Sequence, residues 1–251
     1  MKANAMKLGL TMFPCAALLV AASGSFAAAD EKPNLSGVWQ WGRCVPGQPR
    51  NCMLLEENDA RLTARAKAYR DAIDEAAQPK YDCAPMSIPH MWTDPYSHQI
   101  DVAADHVTFT YGKDDVVRTA WFPNANHPKP KPNEYSYFGT SFAHWEGKML
   151  VVETTHFAFD PQGLNADFRL ASSTQKKVVE KYTLENDQLV LEVTTTDPFF
   201  LKEPWVYKIS SQRDPDELAL PWACDYEASR EILKLTPSPY PQDPVVKRLP
   251  D

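Results

Sequence analysis

The chain has 251 residues, 43% of them hydrophobic, and a formal net charge of −7. An acidic balance with no basic stripe argues against nucleic acid as a partner. Seven Trp and ten Tyr supply flat apolar surface with polar tips, suited to core packing and to pockets for aromatic molecules.

Residues 1–29 read as a secretory signal. Lys2 and Lys7 form the charged start, residues 8–20 the apolar centre, and small residues up to Ala29 the cleavage site. The apolar run is short and broken by Pro14, so no membrane span is expected. Cleavage before Asp30 leaves 222 of the 251 residues, enough for one domain with a sizeable core. That domain is expected over 30–234, with an irregular Pro-rich tail over 235–251. The setting implied is the periplasm or the exterior. Four cysteines remain, Cys44, Cys52, Cys83 and Cys224, and an even count in an exported chain implies disulfides. Three pairings are open. Cys44–Cys52, a small local loop, with Cys83–Cys224, from the helix exit to the last strand, is favoured. No Cys-x-x-Cys spacing exists, so zinc is not expected.

A first strand is expected to open in 34–39. Over 54–77, Leu62, Ala66, Tyr69, Ile73 and Ala76 recur at helical spacing and Pro79 follows, which predicts an amphipathic helix. Residues 81–96 are rich in Pro, Met and aromatics and read as a loop laid over the core. Strands 106–111 and 116–122 pair Phe109 with Arg118, placing Val107, Phe109, Tyr111, Val116, Arg118, Ala120 and Phe122 on one face. Residues 123–133 form a Pro-Lys loop. A central hairpin over 137–157 turns at Glu146-Gly147 and pairs His144 with Met149 and Phe142 with Val151. One face carries Thr140, Phe142, His144, Met149, Val151 and Glu153; the other carries Ser141, Ala143, Trp145, Leu150 and Val152. Residues 160–173 read as a long loop. A third hairpin over 177–196 turns at 185–188 and pairs Glu180 with Val193 and Tyr182 with Leu191. Strands over 205–211 and 218–224 follow. The sum is a mainly β fold: a single antiparallel, calycin/lipocalin-like β-barrel of about eight strands with one N-terminal helix, since a barrel removes exposed edges.

Arg118 and Glu180 are each the lone charge on an apolar strand face. A buried charge costs several kcal/mol unless paired, so the two are expected to meet inside the barrel. As a structural pair they form a salt bridge. As a site, Arg118 clamps an anion or carbonyl and Glu180 acts as acid or base. Tyr111 and Tyr182 share their faces. His144 offers a general base, a ligand hydrogen bond or simple packing. The catalytic candidates are therefore Glu180, Arg118, His144 and Tyr182; Tyr111, Phe109, Phe142 and Trp205 are candidates for holding substrate. His90, His98 and His127, read as loop residues, have Asp94 and Asp101 for company but no ligand motif, so no metal is expected. Without a Gly-rich phosphate loop or nucleophile elbow, no organic cofactor is expected either.

Gly37-x-Trp39 is similar to the first-strand signature of lipocalin-like barrels. Longer pieces accompany it: Leu35-Ser-Gly-Val-Trp39, Cys83-x-Pro85, Asp94-Pro-Tyr96, Arg118, His127-Pro128, Gly139-x-Ser141-x-x-His144-Trp-Glu-Gly147, Leu150-Val-Val152 with Thr154, Glu180-x-Tyr182, Thr196-Asp-Pro198, Pro204-Trp205 and Cys224. Together they resemble an abundant family of exported, mostly uncharacterised bacterial proteins. The resemblance implies a secreted β-barrel with no settled common activity. The chain departs from that pattern at Gly112, at Asn124-Ala-Asn126 and at Thr140, where members often carry an acid, Asp-Gly-Arg and His.

Two functions are compatible with these residues. One is a cofactor-independent enzyme moving protons on a small apolar, aromatic molecule, as a lyase, isomerase or cyclase does. The other, the alternative, is a passive lipocalin-like binding protein for a hydrophobic small molecule; the enzyme is favoured, because two opposite charges inside one pocket are more than a passive apolar carrier needs. The targeting reading has its own test: N-terminal sequencing of the exported protein is expected to begin near Ala28 or Asp30, and a mature chain that keeps Lys2 refutes it.

Overall fold

The computed structural model describes residues 31–113, 116–216, 218 and 224–235. The elements in chain order are β1 (Gly37–Trp39), β2 (Arg43–Cys44), α1 (Ala64–Ala72), β3 (His98–Val102), β4 (His106–Tyr111), β5 (Val117–Trp121), β6 (Thr140–Glu146), β7 (Met149–Thr155), β8 (Asp160–Asn165), β9 (Leu170–Ser172), β10 (Lys177–Glu185), β11 (Gln188–Thr196), β12 (Trp205–Gln212) and α2 (Tyr226–Leu235). Ten strands form one curled sheet in the order β1-β3-β4-β5-β6-β7-β10-β11-β12-β2. Its two ends meet. Gln40 N–H donates to Gln212 O at 2.9 Å and Asp214 N–H to Val38 O at 2.9 Å, so residues 37–44 are shared between β3 and β12. Gly42 sits in this stretch with Ile209 Cδ1 2.6 Å from where a Cβ would stand.

Alternation sets the inside. Along β4 the even positions are partly covered while Val107, Phe109 and Tyr111 are buried, and β10, β11 and β12 repeat the pattern. The pairing of Phe109 with Arg118 is present, as is the register of β10 with β11 from Lys177–Thr196 to Glu185–Gln188. The latter turns through Asn186 and Asp187 at φ +51° and +61°, values that Asn and Asp tolerate.

Several expectations are corrected. The central hairpin turns at Gly147-Lys148, so His144 faces Val151 and Phe142 faces Glu153. Gly147 takes φ +58° as the first loop residue. The expected helix over 54–77 is shorter. Thr63 caps α1 by accepting from Ala66 N–H at 3.1 Å, and Leu62 is drawn out of helix by a bridge to Leu201. Ile73 ends α1, leaving one 3-10 turn at Glu75–Ala77. β3 was not anticipated, and it places His98 on a strand rather than in a loop. The sheet is not wholly antiparallel, because β5 runs parallel to β6. The Pro-rich linker between them crosses over rather than turning back. Residues 160–173 form the β8–β9 ribbon, not a loop. α2 was also unforeseen; it lies against the 3-10 turn Pro79–Asp82 through Ser229 Oγ to Lys80 O and the Arg230–Asp82 ion pair. The strand expected over 218–224, the signal and the C-terminal tail fall largely or wholly outside the described residues.

Both favoured disulfides are present, Cys44–Cys52 and Cys83–Cys224. Cys224 leads into α2, not out of a last strand. Two disulfides fit an oxidising compartment. No helix among the described residues is long and apolar enough to cross a membrane.

Residues 85–96 do more than lie over the core. Ser87 through Trp92 are buried, and the segment stoppers one end of the barrel. Lys176, itself buried, holds it: Nζ donates to Ser87 Oγ at 3.0 Å and to Ile88 O at 2.9 Å, and sits 4.2 Å from the centroid of the Phe157 ring. Tyr207 OH donates to Pro89 O at 3.3 Å. Burial pulls the Lys176 pKa down to about 8, with Asp160 and Asp197 pulling the other way. Unfolded, Lys176 keeps its proton up to about pH 10.5. Between those values the unfolded chain holds a proton that the folded chain has lost, so stability rises with pH. In urea titrations at pH 7 and pH 10, wild type is expected to gain on the order of 2–3 kcal/mol relative to Lys176→Met. A gap independent of pH would count against the lowered pKa.

Candidate functional site

Arg118 lies inside the barrel on β5, and Glu180 on β10, with two strands, β6 and β7, between them in the sheet. The intervening inward positions are small and hydroxylated, Ser141 on β6 and Thr154 on β7, and Arg118 reaches across them. Its Nη1 is 2.7 Å from Glu180 Oε2 and its Nη2 2.9 Å from Glu180 Oε1, a two-pronged pair. Nη1 also approaches Ser141 Oγ at 3.4 Å and Thr154 Oγ1 at 3.3 Å, and Nη2 donates to Tyr111 OH at 3.3 Å. The Phe109 ring lies 4.5 Å from the guanidinium. Glu180 Oε1 also accepts from Tyr182 OH at 2.9 Å and from the indole of Trp92 at 3.0 Å. Burial disfavours the Arg118 charge, but Glu180, Tyr111 and Tyr182 together outweigh it and the guanidinium pKa is raised. Burial likewise raises the phenols of Tyr111 and Tyr182.

Five of the eight sequence candidates therefore meet: Arg118, Glu180, Tyr182, Tyr111 and Phe109. Trp205 is buried elsewhere in the interior, packed on Tyr207 with ring centroids 5.2 Å apart. His144 and Phe142 are on the outer face. His144 Nε2 is 3.0 Å from Glu146 Oε1 with its side chain 42% exposed, and Phe142 lies beside His127. They do not join the pair. Trp92, Ser141 and Thr154 were assigned no role in the sequence. The signal for the last two was their place on the inward face of the central hairpin. Trp92 sits in a segment without periodicity, and nothing pointed to it.

Glu180 has four hydrogen bonds, and neither Arg118 nor Glu180 lines a cleft on the outside. A cleft of about 530 Å³ runs between residues 50–54, 86–95 and 166–167, with Trp41, Met53, Leu54 and Met86 in its walls and Arg50, Lys80 and Lys113 at its edges. Lys113 is held by Asp94 at 2.9 Å, and Lys80 by Glu75 at 3.0 Å. Adjoining it is a smaller void of about 20 Å³ whose lining includes Trp41, Trp92, His98 and Tyr111. His144 and Trp145 instead border a groove of about 680 Å³ with Leu35 and Phe122. Among the described residues no three His, Cys, Asp or Glu converge as a metal site.

No family model matches the chain, and no curated protein matches it. Solved structures that match include the fluorescent protein UnaG, as wild type at 13% identity and a TM-score of 0.32, and as a point variant at 14% and 0.33. Each covers 72% of this chain and 97% of that chain.

The pair has a direct test. Arg118→Met strands a buried carboxylate and is expected to cost on the order of 3–5 kcal/mol in urea unfolding, with Arg118→Met/Glu180→Gln recovering much of the loss. Additive losses in the double variant would show that the two charges do not depend on each other.

Proposed function

We propose that this chain is a binding protein for a small, largely apolar molecule, held in the cleft over the stopper rather than inside the barrel. The observation that carries this reading is the cleft itself. Its roughly 530 Å³ falls in the range of small-molecule sites, and a few polar groups edge an apolar and sulfur-rich wall. Met53 and Met86 add unbranched, polarizable side chains that adapt to irregular ligand shapes.

Proton transfer is supported less well. A general base must come within hydrogen-bond reach of the proton it removes. Glu180 is fully buried, and its oxygens are taken by Arg118, Tyr182 and Trp92. The pair reads better as the internal brace of a binder than as an acid and a base. The aromatic walls that favoured an aromatic substrate now favour a flat apolar ligand at Trp41.

Nile red is a suitable probe, since its emission rises on leaving water. Saturable binding to wild type is expected, and Trp41→Ala is expected to weaken it about 10- to 100-fold, the usual loss for a central aromatic anchor. Phe142→Ala, on the outer face, should leave binding unchanged. Unsaturable binding, or equal affinity in Trp41→Ala, would sink the proposal.

A further inference from the structure

The geometry points to His98 as the polar anchor of this cleft, receiving the hydroxyl group of a neutral, flat apolar molecule such as a phenol. The inference rests on the cleft being the binding site.

His98 opens β3 and points into the barrel mouth. It is 3% exposed, yet its Nε2 has no hydrogen-bond partner. Buried polar atoms are almost always paired, and one left over in a well-packed region calls for a partner from outside the chain. His98 lines the void of about 20 Å³, which is room for one water-sized group. Trp41, Met86, Asp94 and Lys113 line both this space and the larger cleft, so the two adjoin. A ligand lying in the cleft with one polar atom at its tip would bring that atom to His98.

The chemistry of the tip follows from the surroundings. The Trp92 ring stands edge-on to the imidazole at 4.8 Å, and the Tyr111 ring lies parallel at 6.5 Å. Burial alone pulls the His98 pKa down to about 3, so the ring is neutral at ordinary pH. A neutral ring nitrogen donates in one tautomer and accepts in the other. A hydroxyl does both and satisfies either, whereas a carbonyl serves only one. A charged tip is disfavoured, because a carboxylate or ammonium would lose its hydration in a void with no counter-ion to spare, Lys113 and Asp94 being bound to each other. The ring walls of Trp41 and Trp92 favour a flat body behind the hydroxyl. The competing occupant is a single water that stays when the cleft is filled.

Equilibrium dialysis of the mature, disulfide-bonded protein against 2-naphthol, naphthalene and 2-naphthoate tests this. Wild type is expected to hold 2-naphthol at least tenfold more tightly than naphthalene, with no such preference for the naphthoate. His98→Phe keeps a flat ring and removes the nitrogen, and the preference for 2-naphthol should vanish with it. A second measurement does not depend on that variant folding. In side-chain ¹⁵N spectra of wild type, the His98 Nε2 resonance should move with 2-naphthol and stay in place with naphthalene. Equal affinities, a preference that survives in His98→Phe, or an Nε2 resonance that never moves would overturn the anchor. If Nile red still binds in a Trp41-dependent way, such a result leaves the cleft reading standing. If neither Nile red nor the naphthalenes bind, the cleft reading falls and the anchor falls with it.

Discussion

The Arg118–Glu180 pair is the constraint around which the barrel interior is arranged. Two opposite charges have been taken out of water, and each is tolerable only in the other's presence. The neighbours follow from that. Ser141 and Thr154 are small enough for the guanidinium to pass over two strands, and their hydroxyls face its Nη1. Phe109 lies against the guanidinium, and Tyr182 and Trp92 supply donors to the carboxylate. Trp92 comes from the stopper, so the same carboxylate that balances a charge also fastens the end of the barrel. Lys176 repeats the device in miniature: another buried cation ties Ser87 and Ile88 of the same segment.

The interior is consequently occupied by protein, and this redirects the functional reading. It holds the ion pair, Tyr111, Tyr182, Tyr207 and the Trp92 indole. On the outer side of the stopper Trp41 donates its indole N–H to Trp92 O at 3.3 Å and thereby joins the wall of the proposed cleft to the plug.

Much of the wall was legible from sequence because alternation is a parity rule. In the central hairpin the expected partner of His144 was two residues off, Met149 instead of Val151. A slip of two moves every partner by about 7 Å along the strand but leaves each side chain on its own face. The grouping of side chains by face was therefore right although the pairs were not, and although the site candidates His144 and Phe142 came from the face that lies outside; the expected meeting of Arg118 with Glu180 survived because it was argued from the faces of β5 and β10, not from the register of the central hairpin. The stopper was illegible for the opposite reason. Residues 81–96 have no period to read, and their role is set by tertiary bonds from Lys176, Tyr207 and Glu180, none of which is near in sequence. The helix over 54–77 shows a third limit. Leu62 and Ile73 fit a helical stripe, but backbone pairing of Leu62 with Leu201 and the Thr63 cap overrode it.

Sharing residues 37–44 between β3 and β12 has a kinetic side. Trp39 meets His98 on one flank and Arg213 on the other, so the second contact spans most of the described chain. Pairings of such long sequence separation carry a large loop-closure cost and form slowly. Synthesis supplies β12 after all the other strands, so the first strand waits half paired, with free edges on both β2 and β12. The seam of the barrel is thus also the place where this protein is most open to pairing with another copy of itself while it folds. The Cys44–Cys52 bridge, closing eight residues away, needs none of the late strands and can form first, giving one side of that seam a fixed shape before its partner arrives.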